Sequence, residues 1–359
     1  PKIDYLGASF ITVALASLIL AVDNTDKVFA SLIDDGISLT AIKTVLYSLT
    51  ALATAGFIWA ERRANEPIIP LRFFRNRNFS LFMLIALLFG AAFLGAILYL
   101  TQFNQQVFGA NATESGLMLL PMVFGLAATA TLTGRMISRT GSYKVFLLSG
   151  FSVATLAILS LSLLTPESPY WHEAIMMLFA GAGLGAGMPI MNVAVQNEFT
   201  QKDLGAATAS AQLFRGLGST IGTAVLGTLL VTGISTQLGD ISQDAYIQTL
   251  RKQPAAEQFL SNLNTDTALN LNTTTFRDKV LDGVNKGTEK LPAPQRDAIR
   301  TTVADQQNEF GSRVVHAFSD SLHHVFYISA ALMLAATLVA TCVVEKPLRG
   351  GANETPGVA

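Results

Sequence analysis

Residues 81–100 read LFMLIALLFGAAFLGAILYL, with no charged side chain and no alternation of polar and apolar positions. A helix needs about 20 apolar residues to cross roughly 30 Å of hydrocarbon. Backbone polar groups cannot stay unpaired in lipid, so such a run crosses as a helix. A strand of a membrane barrel would show period-two polarity. This stretch lies within the charge-free run 78–113, and the runs 5–22, 44–60, 115–134, 145–166, 174–197, 216–239 and 321–344 share its character. The run 44–60 reaches full length once Lys43 snorkels to the interface. The sequence predicts an all-α polytopic membrane protein with eight transmembrane helices.

Composition agrees. Of 359 residues 50% are apolar and 14% charged, and the mean hydropathy is +0.43; soluble domains carry about 25% charged residues. A net charge of -1 gives no electrostatic case for a nucleic-acid partner. The single cysteine, Cys342, excludes an internal disulfide framework and a CxxC metal site. No metalloprotease, nucleophile-elbow, P-loop or dinucleotide-binding motif occurs, and His172, His316, His323 and His324 fall outside or at the edge of the apolar runs. The expectation is therefore no enzyme, no cofactor and no metal. The chain opens on Pro1 and is in an apolar run by residue 5, which predicts a piece of a longer chain without a signal peptide of its own.

The connections predict orientation. Arg62, Arg63, Arg72, Arg75 and Arg77 crowd the link between spans two and three. Arg135, Arg139 and Lys144 lie between four and five, Lys202 between six and seven, and Lys346 and Arg349 after eight. On the other side, 102–114 and 166–173 have no Lys or Arg and 23–42 has only Lys27. The positive-inside rule places both chain ends in the cytoplasm of a cell membrane. Residues 233–320 are polar and fall on the outer side; segments such as RDAIRTTVADQQNEFGSRVVHAF have helical apolar spacing, so a helical external insert is expected. It reads either as a lid or partner surface or as a tolerated insertion.

Polar and small residues inside the spans mark where function is sought. Span six contains GAGLGAGMPIMNVAVQNEF, 181–199. Gly181, Gly185 and Pro189 lie along one helix, a pattern for close packing or for a hinge. Met188, Asn192 and Gln196 repeat every four residues and share a face, which must line a cavity or another helix. Span seven starts near Leu204, ahead of its charge-free run, and carries Gln212, Arg215, Ser219, Gly222 and Thr223 as a polar, small-residue stripe. Arg215, about 15 Å into that helix, either snorkels or pairs with a carboxylate. Span three presents Phe89, Phe93, Tyr99 and Gln102; span four presents Met118, Met122 and Phe124. These soft surfaces suit apolar or cationic ligands, though each position also suits lipid or core. In 134–144, GRMISRTGSYK, Gly134 and Gly141 are expected to permit a tight cytoplasmic turn, with Arg135 and Arg139 capping helix ends or binding anions.

Several stretches together resemble one family. IDYLG (3–7), WAERRANEPIIPLRFFRNRNF (59–79), LYLTQFNQQVFG (98–109), ESGLMLLP (114–121), GRMISRTG (134–141) and HAFSDSLHHVF (316–326) follow in order. The most specific is 183–227, with Pro189, Gln196, Gly205, Phe214, Arg215, Gly218 and Gly222. The chain is identified as similar to the C-terminal portion of the fourteen-span drug/proton antiporters of the major facilitator superfamily. That resemblance implies a linker helix pair over 1–60, a cytoplasmic linker over 61–79 and the first five helices of the C-terminal six-helix bundle over 80–232. It further implies an external insert over 233–320, the last bundle helix over 321–345 and a cytoplasmic tail over 346–359.

The resemblance implies proton-coupled efflux of hydrophobic or cationic small molecules from a midplane cavity lined by spans three, four, six and seven. Gly218 and Gly222 join Gly181, Gly185 and Pro189 as hinge or packing positions. The implied partners are the lipid bilayer, the small-molecule substrate, the proton and an N-terminal bundle of the same chain, which carries the family's coupling acid. Ser138 stands where the N-terminal counterpart of GRMISRTG commonly has an acid. The segment alone is expected not to transport. Two other readings stay open: a non-transporting scaffold or receptor using 233–320, and an exporter of a lipid or metabolite.

Overall fold

The structure is a computed structural model that describes residues 4–22, 25–64, 67–251, 263–289 and 291–348. Among the described residues there is no strand. The stretches 252–262 of the insert and 349–359 of the tail, with Arg349, lie outside the described residues, as does the side chain of Lys27.

The first pair of long helices is α1 (Tyr5–Val22) and α2 (Leu39–Glu61). The bundle helices follow as α3 (Arg77–Gln106), the short α4 (Ala112–Met118), α5 (Leu120–Thr140), α6 (Lys144–Leu161), α7 (Tyr170–Asn197) and α8 (Leu204–Leu238). Then come α9 (Ala245–Arg251), α10 (Thr265–Leu271), α11 (Thr274–Gly287) and the 49-residue α12 (Ala293–Thr341). Eight of these segments are long and apolar enough to cross a membrane, in agreement with the number of charge-free runs. Helix α8 begins at Leu204 as its polar stripe suggested. The last span differs from its run: α12 starts at Ala293 and passes through residue 320 without a break, because the helical pattern of the insert continues in phase into the apolar stretch.

Local chemistry sets the helix ends. Ser38 accepts the Ala41 N–H at the start of α2, and Asn76 accepts the N–H groups of Asn78 and Phe79 at the start of α3. Asn111 and Glu114 form a capping box on α4. Gly141 ends α5 with φ +69°, a conformation in which a side chain is strained. Gly134, expected in the same turn, lies instead inside α5 together with Arg135 and Arg139, because the helix persists to Thr140 and one left-handed residue suffices to turn the chain.

The bundle helices sort into two groups. Helix α7 packs on α5 and α6, whereas α3 packs on α8 and α12; α12 also meets α6 and closes the ring. The α1–α2 pair packs on itself, and α1 touches α8. Glycines set the closest approaches. A Cβ on Gly181 or Gly185 of α7 would strike the backbone of Met122 or Leu126 in α5, and one on Gly125 would strike Leu178. On the other side, Gly218 and Gly222 of α8 face Leu87 and Ala91 of α3, and Gly90 faces the Arg215 carbonyl. Dispersion between near-touching backbones replaces the hydrophobic drive that lipid cannot supply.

At the arginine-rich end, Phe73 of a 3₁₀ turn (Leu71–Arg75) stacks among Phe79 and Phe199, 5.4 and 4.1 Å between ring centroids, and Arg72 pairs with Asp203 at 2.7 Å. The strap 343–348 crosses the same end. Glu345 accepts the N–H groups of Tyr143 (2.6 Å) and Lys144 (2.9 Å) and the Ser142 hydroxyl (2.8 Å) at the start of α6. Lys144 in turn donates to the carbonyls of Thr341 and Val343 at the end of α12. Glu198 takes amide N–H groups from Asn76 and Asn78, each at 2.7 Å, and the Lys346 ammonium.

At the opposite end the insert helices are docked, not dangling. Thr274 donates to the Gly109 carbonyl at 2.9 Å, and Asn272 donates to Gln106 at 3.3 Å. The buried Gln307 of α12 donates to the Tyr246 hydroxyl (3.1 Å) and the Arg277 carbonyl (3.2 Å), pinning α9 and α11 to the long helix.

Candidate functional site

Helices α3, α7 and α8 leave a narrow cleft of about 10 Å³, the scale of a single water molecule, lined by Phe82, Ala86, Met188, Met191, Asn192, Val195, Ala211, Gln212 and Arg215. Four side chains singled out from sequence meet here: Met188 and Asn192 from one face of α7, Gln212 and Arg215 from the facing stripe of α8. Their i, i+3 and i, i+4 spacing is what brings each pair to one face. The Gln212 amide donates to Asn192 at 3.5 Å, at the limit of a hydrogen bond. Among the described residues no carboxylate pairs with Arg215, whose side chain is partly exposed in the cleft. The lining also includes the aromatic and thioether side chains of Phe82, Met188 and Met191. The cleft therefore joins one fixed positive charge and two amides to a soft apolar surface.

The other sequence candidates are not among the residues that line this cleft. Gln196, one turn beyond Asn192, donates to the Thr208 hydroxyl at 3.1 Å. Ser219, one turn beyond Arg215, donates to the Gly90 carbonyl at 3.1 Å and so faces α3. Phe89 is buried in a stack with Phe93 and Phe151, 5.6 Å from each, inside the bundle. Tyr99 is buried and donates to the Thr223 carbonyl at 2.9 Å. Met122 is buried under α7, and the Met118 carbonyl accepts the Tyr170 hydroxyl. Gln102 is half-buried near the insert end of α3. Gly134, Arg135 and Arg139 are exposed on the last turns of α5, and Gly141 makes the turn that follows. Pro189 lies within α7 one position from Met188.

One functional-type residue escaped the sequence reading. Glu173, in the first turn of α7, has no exposed surface, and its only hydrogen-bonding neighbour among the described residues is Asn104 of α3. The signal was present: Glu173, Met177, Ala180 and Leu184 fall on the buried stripe of α7 at helical spacing. Starting the span after the last charge, at 174, hid it.

Among the described residues the fold is a bundle of helices, eight segments of which are of membrane-spanning length, and this defines a multi-pass membrane protein. The chain belongs to the Major Facilitator Superfamily, whose profile matches residues 5–223. An uncharacterized MFS-type transporter of Mycobacterium tuberculosis is 35% identical over 241 residues, 67% of this chain and 34% of that protein. Multidrug transporter protein MdtP of Bacillus subtilis is 28% identical over 306 residues, 85% of this chain and 52% of MdtP. A tetracycline resistance determinant of Streptomyces rimosus is 27% identical over 211 residues, 58% of this chain and 61% of that protein. The matched part thus spans 34% to 61% of the length of these relatives.

Proposed function

We propose that this chain is the C-terminal portion of a fourteen-span drug/proton antiporter and that the whole protein exports hydrophobic or cationic small molecules. In this reading α1 and α2 are the linker pair of 1–60, residues 61–79 the cytoplasmic link, and 80–232 with 321–345 the C-terminal bundle. The insert 233–320 lies outside, and the tail 346–359 and both ends lie in the cytoplasm. The observation that carries the proposal is the cleft whose lining joins Arg215, Asn192 and Gln212 with Phe82, Met188 and Met191. Met and aromatic walls adapt to varied apolar shapes, and the amides orient polar groups without fixing one substrate. Arg215, without an ion pair among the described residues, supplies a counter-charge for an acid on a facing bundle, so that a cationic substrate competes with the arginine for that acid. Multidrug relatives such as MdtP support the substrate class.

Around the cleft, Phe89, Phe93, Tyr99, Gln102, Met118, Met122, Gln196 and Ser219 form the cavity's wider lining or its support. Gly181, Gly185, Pro189, Gly218 and Gly222 set the helix approaches on which the bundle moves. Gly134, Arg135, Arg139 and Gly141 belong to the cytoplasmic gate. The proton and an N-terminal bundle complete the machine.

The test is ethidium efflux from pump-deficient bacteria that express the complete reading frame, with and without a protonophore, beside the 359-residue chain. Protonophore-sensitive efflux by the complete protein alone is expected. Efflux by the 359 residues alone, or none from a well-inserted complete protein, overturns the proposal.

A further inference from the structure

We propose that Glu173 and Asn104 form a proton-binding site on the seam between the two helix groups of the bundle. Both residues have no exposed surface within this chain, so partners elsewhere are not needed to bury them. With the Asn104 amide turned so that its nitrogen faces the carboxylate, it donates to both Glu173 oxygens, at 2.9 and 2.8 Å. Turned the other way, the amide oxygen stands at the same place and accepts from a protonated carboxyl. An amide is the side chain that offers a donor and an acceptor from one position. Asn104 therefore satisfies Glu173 in either protonation state by a half-turn of its own. A lysine or arginine partner would fix the charged form, and among the described residues none pairs with Glu173.

Among the described residues no ion pair reaches this site, and the other titratable side chain of its turn, His172, is exposed. On α7, Tyr170 lies one turn away and its hydroxyl is committed to the Met118 carbonyl at 2.9 Å. The Phe108 ring meets those of Phe103 and Tyr170, and Met177 is buried one turn further along α7. On α3 the one charged side chain is Arg77, at the opposite end, and the Tyr99 hydroxyl is committed to the Thr223 carbonyl at 2.9 Å; α5 carries Arg135 and Arg139 and α6 carries Lys144, all at that same far end. Arg215 of α8 faces Asn192, about 28 Å further along α7. Glu114 of α4 is exposed and holds the Asn111 cap. At the insert end, His316 of α12 faces Glu167 at 3.4 Å, and His323 sits at 2.7 Å from the Leu164 carbonyl.

Place explains use. Glu173 lies about 4.5 Å along α7 from its first residue, so a small opening admits water from the insert end. Glu173 belongs to the α5–α6–α7 group and Asn104 to the α3–α8–α12 group. Opening that seam exposes the carboxylate, and closing it favours a bound proton because a buried, unpaired charge is expensive. A proton from water adds to the carboxylate and leaves by the same bond, with no other reactant. Proton use in transport rests on the antiporter reading; proton binding does not.

The experiment is infrared pH-difference spectroscopy on the purified complete protein in lipid nanodiscs, wild type against Glu173→Gln and Asn104→Leu. A protonated-carboxyl stretch that titrates in the wild type, is lost in Glu173→Gln and moves its midpoint in Asn104→Leu supports the site. Superimposable wild-type and Glu173→Gln spectra overturn it. If Glu173→Gln does not fold, an unmoved midpoint in Asn104→Leu overturns it instead. In proteoliposomes, Glu173→Gln should lose ethidium flux driven by a pH gradient while keeping ethidium exchange without one. A wild type that moves no ethidium sinks the antiporter reading, and the infrared result still decides the proton site.

Discussion

Ser219 of α8 donates to the Gly90 carbonyl of α3 at 3.1 Å, while Gly90 turns its bare Cα toward the Arg215 carbonyl one turn back on α8. The residue that lines the cleft is thus positioned through its backbone by a glycine on the neighbouring helix. Gly90→Ala forces the two backbones apart and should cost about 1–3 kcal/mol as overpacking, with a lowered Tm in detergent. Gly283→Ala in α11, where a Cβ meets nothing within 4 Å, should instead leave Tm unchanged or raise it, since helical glycine costs about 0.5–1 kcal/mol relative to alanine. A Gly90→Ala protein as stable as wild type would show that this approach is not tight.

The strap 343–348 predicts an acid-sensitive arginine-rich end. Burial by itself raises the carboxyl pKa of Glu345, but hydrogen bonds from Lys144 N–H, the Ser142 hydroxyl and Tyr143 N–H, with the Lys144 charge, outweigh it and hold the value below 4.5. Burial likewise opposes Lys346, Asn78 and Asn76 at Glu198, and the partners again win. Groups with depressed folded values stabilise above the unfolded value and lose that contribution as pH falls through the folded one. Stability should therefore be fully present above about pH 4.5 and fall below it. Thermal melts across pH should show that acid limb flattened in Glu345→Gln and Glu198→Gln; an unchanged limb in both would refute the assignment.

Arg215 offers a cleaner functional variant. It is partly exposed and makes no ion pair among the described residues, so Arg215→Ala should fold with little change in Tm. Its ethidium efflux should fall strongly, and Arg215→Lys should recover part of it, because a lysine keeps the charge but loses the planar fork. Full efflux in Arg215→Ala would remove the residue from the cavity's chemistry.

Gln307→Leu tests whether the insert is held as one body. It removes the donor to the Tyr246 hydroxyl and the Arg277 carbonyl in a buried place, at a cost of about 1–3 kcal/mol for the groups left unpaired. Amide hydrogen exchange should accelerate in α9 and α11 and remain unchanged in α5 and α7. Unaltered protection in α9 would mean that other contacts fasten it.

The number of long helices was legible because the bilayer's thickness leaves one solution for a charge-free run of that length. The cleft was legible in part for the same reason: Met188 and Asn192, like Gln212 and Arg215, are polar or soft residues at helical spacing on an otherwise uniform surface. Phe89 and Tyr99 could not be placed that way. In a membrane protein, core and lipid-facing side chains have the same apolar character, so hydropathy carries no contrast between them; only packing shows that both are buried. Gly134 and Gly141 look alike in sequence, and the φ of +69° at Gly141 alone separates the turn from the helix. Glu173 was hidden by treating a charge as the edge of a span, when burial against Asn104 makes it part of one.

Helix α12 runs unbroken for 49 residues, about 74 Å. Its first half therefore takes its azimuth from the half that lies within the bundle: each residue added or removed between them turns everything beyond by about 100°. Length variation there is quantised. Losing about 18 residues, five whole turns, restores the azimuth of α9 and α11 but draws them about 27 Å along the axis, whereas losing two or three swings them to another side. Chimeras and truncations at this junction will keep the insert's seat only where both helical phase and axial height over Gln106 and Gly109 are preserved.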